Sequence, residues 1–310
     1  MALDSASQAM LEAMAAAGMK PVHKSTVAEV RGSWRLQLPG FPIRPAIPMH
    51  STWETHIPLA GRFLPLRIYT PTLSSTRWIV YFHGGGWTMG SIKESDWWVR
   101  RFATALDATV VSVDYRLAPE NPYPAALEDA DAALAWVCSQ AGSAPVIVAG
   151  DSAGGNIAAS LVQRQHGFHA IAAQLLICPV LDADLNRASY LVKENQNFLS
   201  TKAMRWFWDQ YAPTGQDRAN ANLSPLRNAS LNGLPGAVLI TAEHDVLKDE
   251  GAAYAAALKA AGVDVRLREF SGQMHDFVVF PMDLPGAAAA MDFIVESMRS
   301  LDGLKLLTSA

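Results

Sequence analysis

An α/β fold with a mostly parallel central sheet and helices on both faces is the class this sequence predicts. Three observations predict it. Short, nearly continuous apolar runs recur at 77–82, 109–113, 145–150, 173–178 and 237–241. Strands buried on both faces of a parallel sheet have this composition, because helices cover each side. Helical patterns lie between runs, and strand–helix–strand alternation stacks helices on both faces of one sheet. The chain has 310 residues, half of them hydrophobic and 17% charged, which is enough for one large core or two small ones.

Taken in order, residues 3–19 read as an amphipathic helix. Leu3, Met10, Leu11 and Met14 recur at helical spacing, Asp4 or Ser5 caps the start, and Gly18 with Pro21 ends it. Residues 32–50 are rich in Pro and Gly and read as a loop. Two strand-like runs, 53–59 and 63–69, flank Ala60-Gly61-Arg62 and predict a hairpin. In 125–140, Leu127, Ala130, Leu134, Val137 and Cys138 share a helix face, as do Met291, Ile294, Val295 and Met298 in 286–300. The run 263–268 alternates strictly, which suits a half-exposed strand near a sheet edge guarded by its charges. Residues 182–225 carry no strand signal. With Phe198, Met204, Trp206, Phe207, Trp208 and Tyr211 they read as a helical insertion over the sheet.

Composition excludes several classes. A net charge of −4 gives no electrostatic basis for binding nucleic acid. The two cysteines, Cys138 and Cys178, lie in apolar stretches, too few for a disulfide framework and without metal-ligand spacing. No metal or cofactor is expected, and the thiols read as buried in a reducing compartment. No run reaches the ~18 apolar residues of a membrane span. The N-terminal stretch is broken by Asp4 and Glu12 and has no basic segment before it, so the expected location is the cytoplasm.

Chemistry concentrates at a few places. Gly150-Asp151-Ser152-Ala153-Gly154-Gly155 contains Gly-x-Ser-x-Gly, a pattern that arises by chance in roughly one chain of this length in ten. Context therefore decides. The motif follows a predicted strand and opens a helix near Asn156. A strand-to-helix turn that sharp needs glycines beside the serine, and it lifts the hydroxyl next to a helix N-terminus. His83-Gly84-Gly85-Gly86-Trp87 follows the strand ending at Phe82. Its unshielded N–H groups suit an oxyanion, and it lacks the spacing of a phosphate-binding loop. A serine hydroxyl needs a base. Where such an elbow is used the chain order is serine, acid, histidine. His275 sits in a turn after the last predicted strand, with His244 as its competitor. Asp245 follows the strand at 237–241, with Glu243 and Asp276 as competitors. Ends of strands are where sites assemble in open α/β sheets.

With these residues in place, the chain resembles the hormone-sensitive-lipase-like α/β-hydrolases, the bacterial family IV esterases. The likeness rests on His83–Gly86, Asp114-Tyr115-Arg116-Leu117-Ala118-Pro119-Glu120, Gly150–Gly155, the block Asp245–Glu250, and His275, and spans about residues 53–300. Two positions depart from the family pattern. Val246 stands where a proline is usual, and Asp276 where a glycine follows the histidine. Asp276 adds a carboxylate beside the base, so it is expected either to raise the His275 pKa or to compete with Asp245 as its orienter.

The resemblance implies an α/β-hydrolase fold, one domain over 1–310, with a helical cap from about 1–45 and 182–225. It implies catalysis by Ser152, Asp245 and His275, an oxyanion hole from the N–H groups of Gly85, Gly86 and Ala153, and a structural His83. Trp87, Phe198, Trp206 and Trp208 are the expected pocket walls. The stretch 114–120 with Pro122 and Pro124 reads as a rigid buttress with cis prolines. The expected activity is hydrolysis of short- to medium-chain acyl esters. An arylformamide, carbamate or amide would serve the same triad. A non-catalytic small-molecule receptor is the reading from another class, and the presence of all three triad residues counts against it. The expected partner is a small-molecule ester, with no nucleic acid and no stable membrane insertion, and the chain is expected as a monomer or homodimer.

Overall fold

The computed structural model describes residues 1–33, 45–165, 167, 171–213, 217–281 and 284–301. Most of the loop expected at 32–50 and part of the insertion expected at 182–225 lie outside these residues.

The hairpin forms first, from β1 (Ser51–Leu59) and β2 (Arg62–Thr70), turning at Gly61 with φ +73°. Then come β3 (Arg77–Phe82), β4 (Ala108–Val113), β5 (Val146–Asp151), β6 (Ile171–Ile177), β7 (Gly236–His244) and β8 (Val265–Met274). All join one sheet in the order β1-β2-β4-β3-β5-β6-β7-β8. The β1–β2 and β2–β4 pairs are antiparallel and every pair from β4 to β8 is parallel. This is the α/β-hydrolase sheet. The alternating run does become the edge strand β8, but it continues to Met274. Its last residues, Ser271 apart, turn inward and are buried.

The helices are α1 (Ser5–Ala16), α2 (Val27–Ser33), α3 (Ile92–Leu106), α4 (Ala125–Ala141), α5 (Ala153–Arg164), α6 (Ala188–Leu191), α7 (Thr201–Tyr211), α8 (Lys248–Ala260) and α9 (Pro285–Ser300). Asp4 caps α1 as expected, accepting from the N–H groups of Ala6 and Ser7. Period-two alternation in the strands divides the interior into two cores. Val80, Phe82, Val148 and Leu239 face α4, α5, α7 and α8. Ile79, Tyr81, Ile147 and Ile240 face α1, α3 and α9. Helix α3 went unread in the sequence, although Ser91-x-x-Glu94 is a capping box: the Ser91 hydroxyl accepts from Glu94 N–H at 3.3 Å.

Every parallel strand runs in one direction. Phe82, Asp151, Ile177, His244 and Met274 therefore end at the same edge of the sheet, and the loops beyond them meet there.

Candidate active site

The turn from β5 into α5 forces Ser152 to φ +51°, ψ −116°. A non-glycine residue there costs roughly 1–3 kcal/mol, so the surroundings must hold it. They do so with backbone bonds: Ser152 N–H donates to Ile177 O at 2.8 Å, and Ser152 O accepts from Val180 N–H at 3.1 Å. The flanking glycines have a steric cause. A Cβ on Gly154 would lie 2.0 Å from Phe82 O, and one on Gly150 would lie 2.3 Å from the Gly154 carbonyl. The elbow is that tightly folded against β3.

Two further strand ends bring in the partners. Asp245 follows β7 and is 1% exposed; its Oδ1 accepts from Leu247 N–H at 3.0 Å. His275 follows β8 and is 3% exposed. Asp245 Oδ2 accepts from His275 Nδ1 at 2.7 Å, and His275 Nε2 lies 2.9 Å from Ser152 Oγ. The carboxylate places the ring proton on Nδ1, which leaves the Nε2 lone pair facing the serine. Burial alone would push the imidazole down, but the charges of Asp245 and Asp276 outweigh it and hold His275 well above its ordinary value. The sequence competitors sit elsewhere. His244 Nδ1 lies 3.2 Å from Glu194 O, and Glu243 bonds Gly272 N–H and the N-terminus.

Asp276 corrects one expectation. Its Oδ2 lies 3.1 Å from His275 Nε2, the nitrogen opposite the one that Asp245 holds. It therefore does not compete with Asp245 for orienting the ring. It faces the same nitrogen as Ser152.

The loop after β3 crosses in front of the elbow. Gly85 has φ +110° and Gly86 φ +57°. Among the described residues, the N–H groups of Gly85 and Gly86, and of Ala153 at the first turn of α5, donate to no other group. Unpaired donors on the elbow and on the loop packed against it, with Gly86 and Ala153 buried and Gly85 half-buried, are open to an anionic oxygen. Asp151 braces this loop from below. Its carboxylate accepts from the Tyr81 hydroxyl and the Gly84 N–H. Burial first, then the charge of Asp276, pushes the Asp151 carboxyl up to about 8. His83 donates through Nδ1 to Gly84 O at 2.8 Å and stacks on Tyr115, whose hydroxyl donates to His83 O at 2.7 Å. The stretch 114–120 does buttress the loop: Ala118 N–H bonds Trp87 O at 2.9 Å, and the Ala118–Pro119 and Tyr123–Pro124 bonds are cis.

The same fold and motifs recur in known proteins. A family model described as the alpha/beta hydrolase fold matches residues 79–279. The chain is 42% identical over 240 residues to carboxylesterase NlhH of Mycobacterium tuberculosis, covering 73% of this chain and 75% of that one. It is 33% identical over 251 residues to an ethyl acetate hydrolase of Pseudomonas putida, covering 77% and 79%. The crystal structure of a thermostable esterase from Pseudomonas putida superposes with a TM-score of 0.85 at 33% identity, over 97% of this chain and 98% of that one. The chain belongs to the hormone-sensitive-lipase-like α/β-hydrolases.

Within this family frame, the aromatic residues divide. Trp87 and Trp208 are fully buried, and Trp87 stacks on Tyr211 at 4.4 Å between ring centroids. Expected as pocket walls, they are instead packing that backs the glycine loop. Phe198 is half-buried beside the triad, its ring 6.4 Å from His275 and edge-on to Phe280 at 5.2 Å. Trp206 is half-buried and edge-on to Phe207. Phe207, marked in the sequence only as part of the insertion and not as a pocket wall, sits against the loop itself: a Cβ on Gly86 would lie 2.1 Å from its Cδ1.

The acidic block after Asp245 also acquires a role. Asp249 accepts from Ser189 N–H at 2.7 Å, and buried Glu250 accepts from Leu181 N–H at 2.8 Å and the Tyr190 hydroxyl at 3.2 Å. These bonds tie Leu181 and the start of the insertion to the first turn of α8, just after Asp245. Cys178, Asp245 and His275 are the three donors that approach within 4.8 Å of one another among the described residues. Burial lifts the Cys178 thiol well above its usual range, and a protonated thiol is a poor metal ligand.

Proposed function

We propose that this chain is a serine carboxylesterase that hydrolyses short- to medium-chain acyl esters through an acyl-enzyme on Ser152. The buried line Asp245–His275–Ser152, closed by hydrogen bonds of 2.7 and 2.9 Å, carries this reading.

Ser152 Oγ attacks the ester carbonyl carbon while its proton moves to His275 Nε2. The carbonyl electron pair shifts to the oxygen, where the N–H groups of Gly85, Gly86 and Ala153 receive it. The tetrahedral intermediate collapses, the C–O bond to the alcohol breaks, and Nε2 returns its proton to the departing oxygen. Water, deprotonated by the same nitrogen, then repeats the sequence on the acyl-enzyme and releases the acid. Asp245 keeps the ring in the tautomer that accepts at Nε2 and stabilises the imidazolium. This chemistry uses side chains and backbone alone.

The preference for short acyl groups is supported by the ethyl acetate hydrolase among the relatives and by the aromatic crowding of Phe198 and Phe207 about the site. We assign α1, α2 and the insertion carrying α6 and α7 to a cap on a single hydrolase domain. Among the described residues no helix is long and apolar enough to cross a membrane. We place the protein in the cytoplasm as a monomer or as a dimer through β8.

Hydrolysis of p-nitrophenyl esters from acetate to palmitate, with Ser152→Ala alongside, tests this reading. Turnover that peaks at short chains and vanishes in the variant is expected. Undiminished turnover in the variant, or a peak at palmitate, would reject it.

A further inference from the structure

The reactive nitrogen of His275 has two partners. Ser152 Oγ lies 2.9 Å from Nε2, and Asp276 Oδ2 lies 3.1 Å from it. Asp276 reaches this position through φ +57°, a left-handed conformation that glycine accepts freely and that Asp and Asn tolerate best among other residues. The residue is 8% exposed, and its Oδ1 is buried without a hydrogen-bond partner among the described residues. A carboxylate so strained and so poorly solvated is held there by its one strong contact, the imidazole.

We propose that Asp276 is a positioning residue that shares the Nε2 proton with His275, so that the site becomes active when this pair, acting as one unit, releases a proton. This rests on His275 being the base of the proposed mechanism. With the proton present, it lies between Nε2 and Oδ2. The pair is then an imidazolium with a carboxylate, or an imidazole with a carboxylic acid; the two forms share one macroscopic titration. In both, the lone pair that must accept the Ser152 proton is occupied. With the proton gone, the carboxylate cannot donate, and Ser152 Oγ–H becomes the donor to Nε2. On attack, the Oγ–H bond breaks, Nε2–H forms, and the new imidazolium is flanked by Asp245 at Nδ1 and Asp276 at Nε2. Its proton then passes to the leaving oxygen as the C–O bond breaks.

Ionisable groups from the ends of several neighbouring strands surround the pair. Asp245 from the end of β7 faces Nδ1. Asp151 at the end of β5, bonded by the Tyr81 hydroxyl of β3, has its own carboxyl raised by burial and then by the charge of Asp276. Cys178, after β6, sits against the Asp276 N–H as a thiol. Burial lifts the Asp276 carboxyl, and His275 stands well above its ordinary value. Burial of the imidazole opposes retention of the shared proton, and the charge of Asp245 together with the burial of the Asp276 carboxyl outweighs it. The acid limb of the rate profile therefore lies higher with Asp276 than without it.

The test is the pH dependence of kcat/KM on p-nitrophenyl acetate for wild type, Asp276→Asn and Asp276→Gly. Both replacements suit φ +57°, so folding at this position is preserved by two routes. The limb is expected to move down by about one pH unit or more in each. A limb that stays in place or moves up would overturn the proposal. Ser152→Ala in the same series separates the two readings. If it stays active, the triad assignment itself fails. If it is inert while the limb stays fixed in the Asp276 variants, only the shared proton fails. In the wild-type protein, the His275 ring nitrogens and the Asp276 carboxyl carbon are expected to titrate by NMR at one common pH. Separate midpoints would likewise overturn it.

Discussion

Along β5 and β7, a few residues separate two regions built on opposite terms. In the strand interiors, Ile147, Val148, Leu239 and Ile240 are at most 1% exposed, wholly apolar, and packed on both faces. At the carboxyl ends, Asp151, Asp245, His275 and Asp276 are buried together, and Trp87, Ser152, Cys178 and Asp276 all have positive φ. In the interior, local preference and tertiary packing agree. At the edge they conflict, and the fold tolerates strain and buried charge for the sake of geometry. Stability belongs to the first region and chemistry to the second, so substitutions in the two should fail in different ways.

The sharpest contrast comes from His275→Ala, which should lower kcat by about a million-fold while the protein melts near the wild-type temperature. Asp245→Asn should cost about ten-thousand-fold in kcat, because the amide no longer fixes the Nδ1 proton. Gly86→Ala pushes a methyl into Phe207 and displaces an N–H group of the glycine loop. A loss of about a hundred- to a thousand-fold in kcat is expected, readable in steady-state kinetics. Ile240→Ala reverses the pattern, with a fall of about 2–5 kcal/mol in urea denaturation and kcat within a few-fold of wild type. The smallest change in stability is expected from Ser152→Gly, which also removes the nucleophile. It relieves the +51° strain and should stabilise the inactive protein by about 1 kcal/mol. An Ile240→Ala variant that lost activity without losing stability would break the division.

The same division explains what could be read from the residues alone. The apolar runs that became β3 to β7 were legible because burial on both faces leaves a continuous signature. The elbow was legible because only glycine fits where Gly150 and Gly154 meet neighbouring backbone. Helix α8 escaped notice because its buried face includes the acidic Glu250 and the small Gly251 and Ala255, while its exposed side is mostly alanine, so the two faces contrast weakly. Trp87 and Trp208 were misplaced because an aromatic residue in a loop or an insertion looks the same whether it lines a pocket or fills a core. Adjacency placed Asp276 beside His275, but only the left-handed backbone turn decides which ring nitrogen it meets. Asp249 and Glu250 were visible as a motif, and their bonds to Ser189 and Leu181 arise from contacts 60 and 69 residues apart in sequence.

The central claim is that Ser152 carries the acyl group. Mixing the protein with p-nitrophenyl acetate, quenching in acid within the first turnovers and mapping the peptides by mass spectrometry tests it directly. The account predicts one acetyl group on the peptide containing Ser152, absent in Ser152→Ala. Acetylation at another residue, or steady hydrolysis with no acetylated Ser152 at any time point, would contradict it.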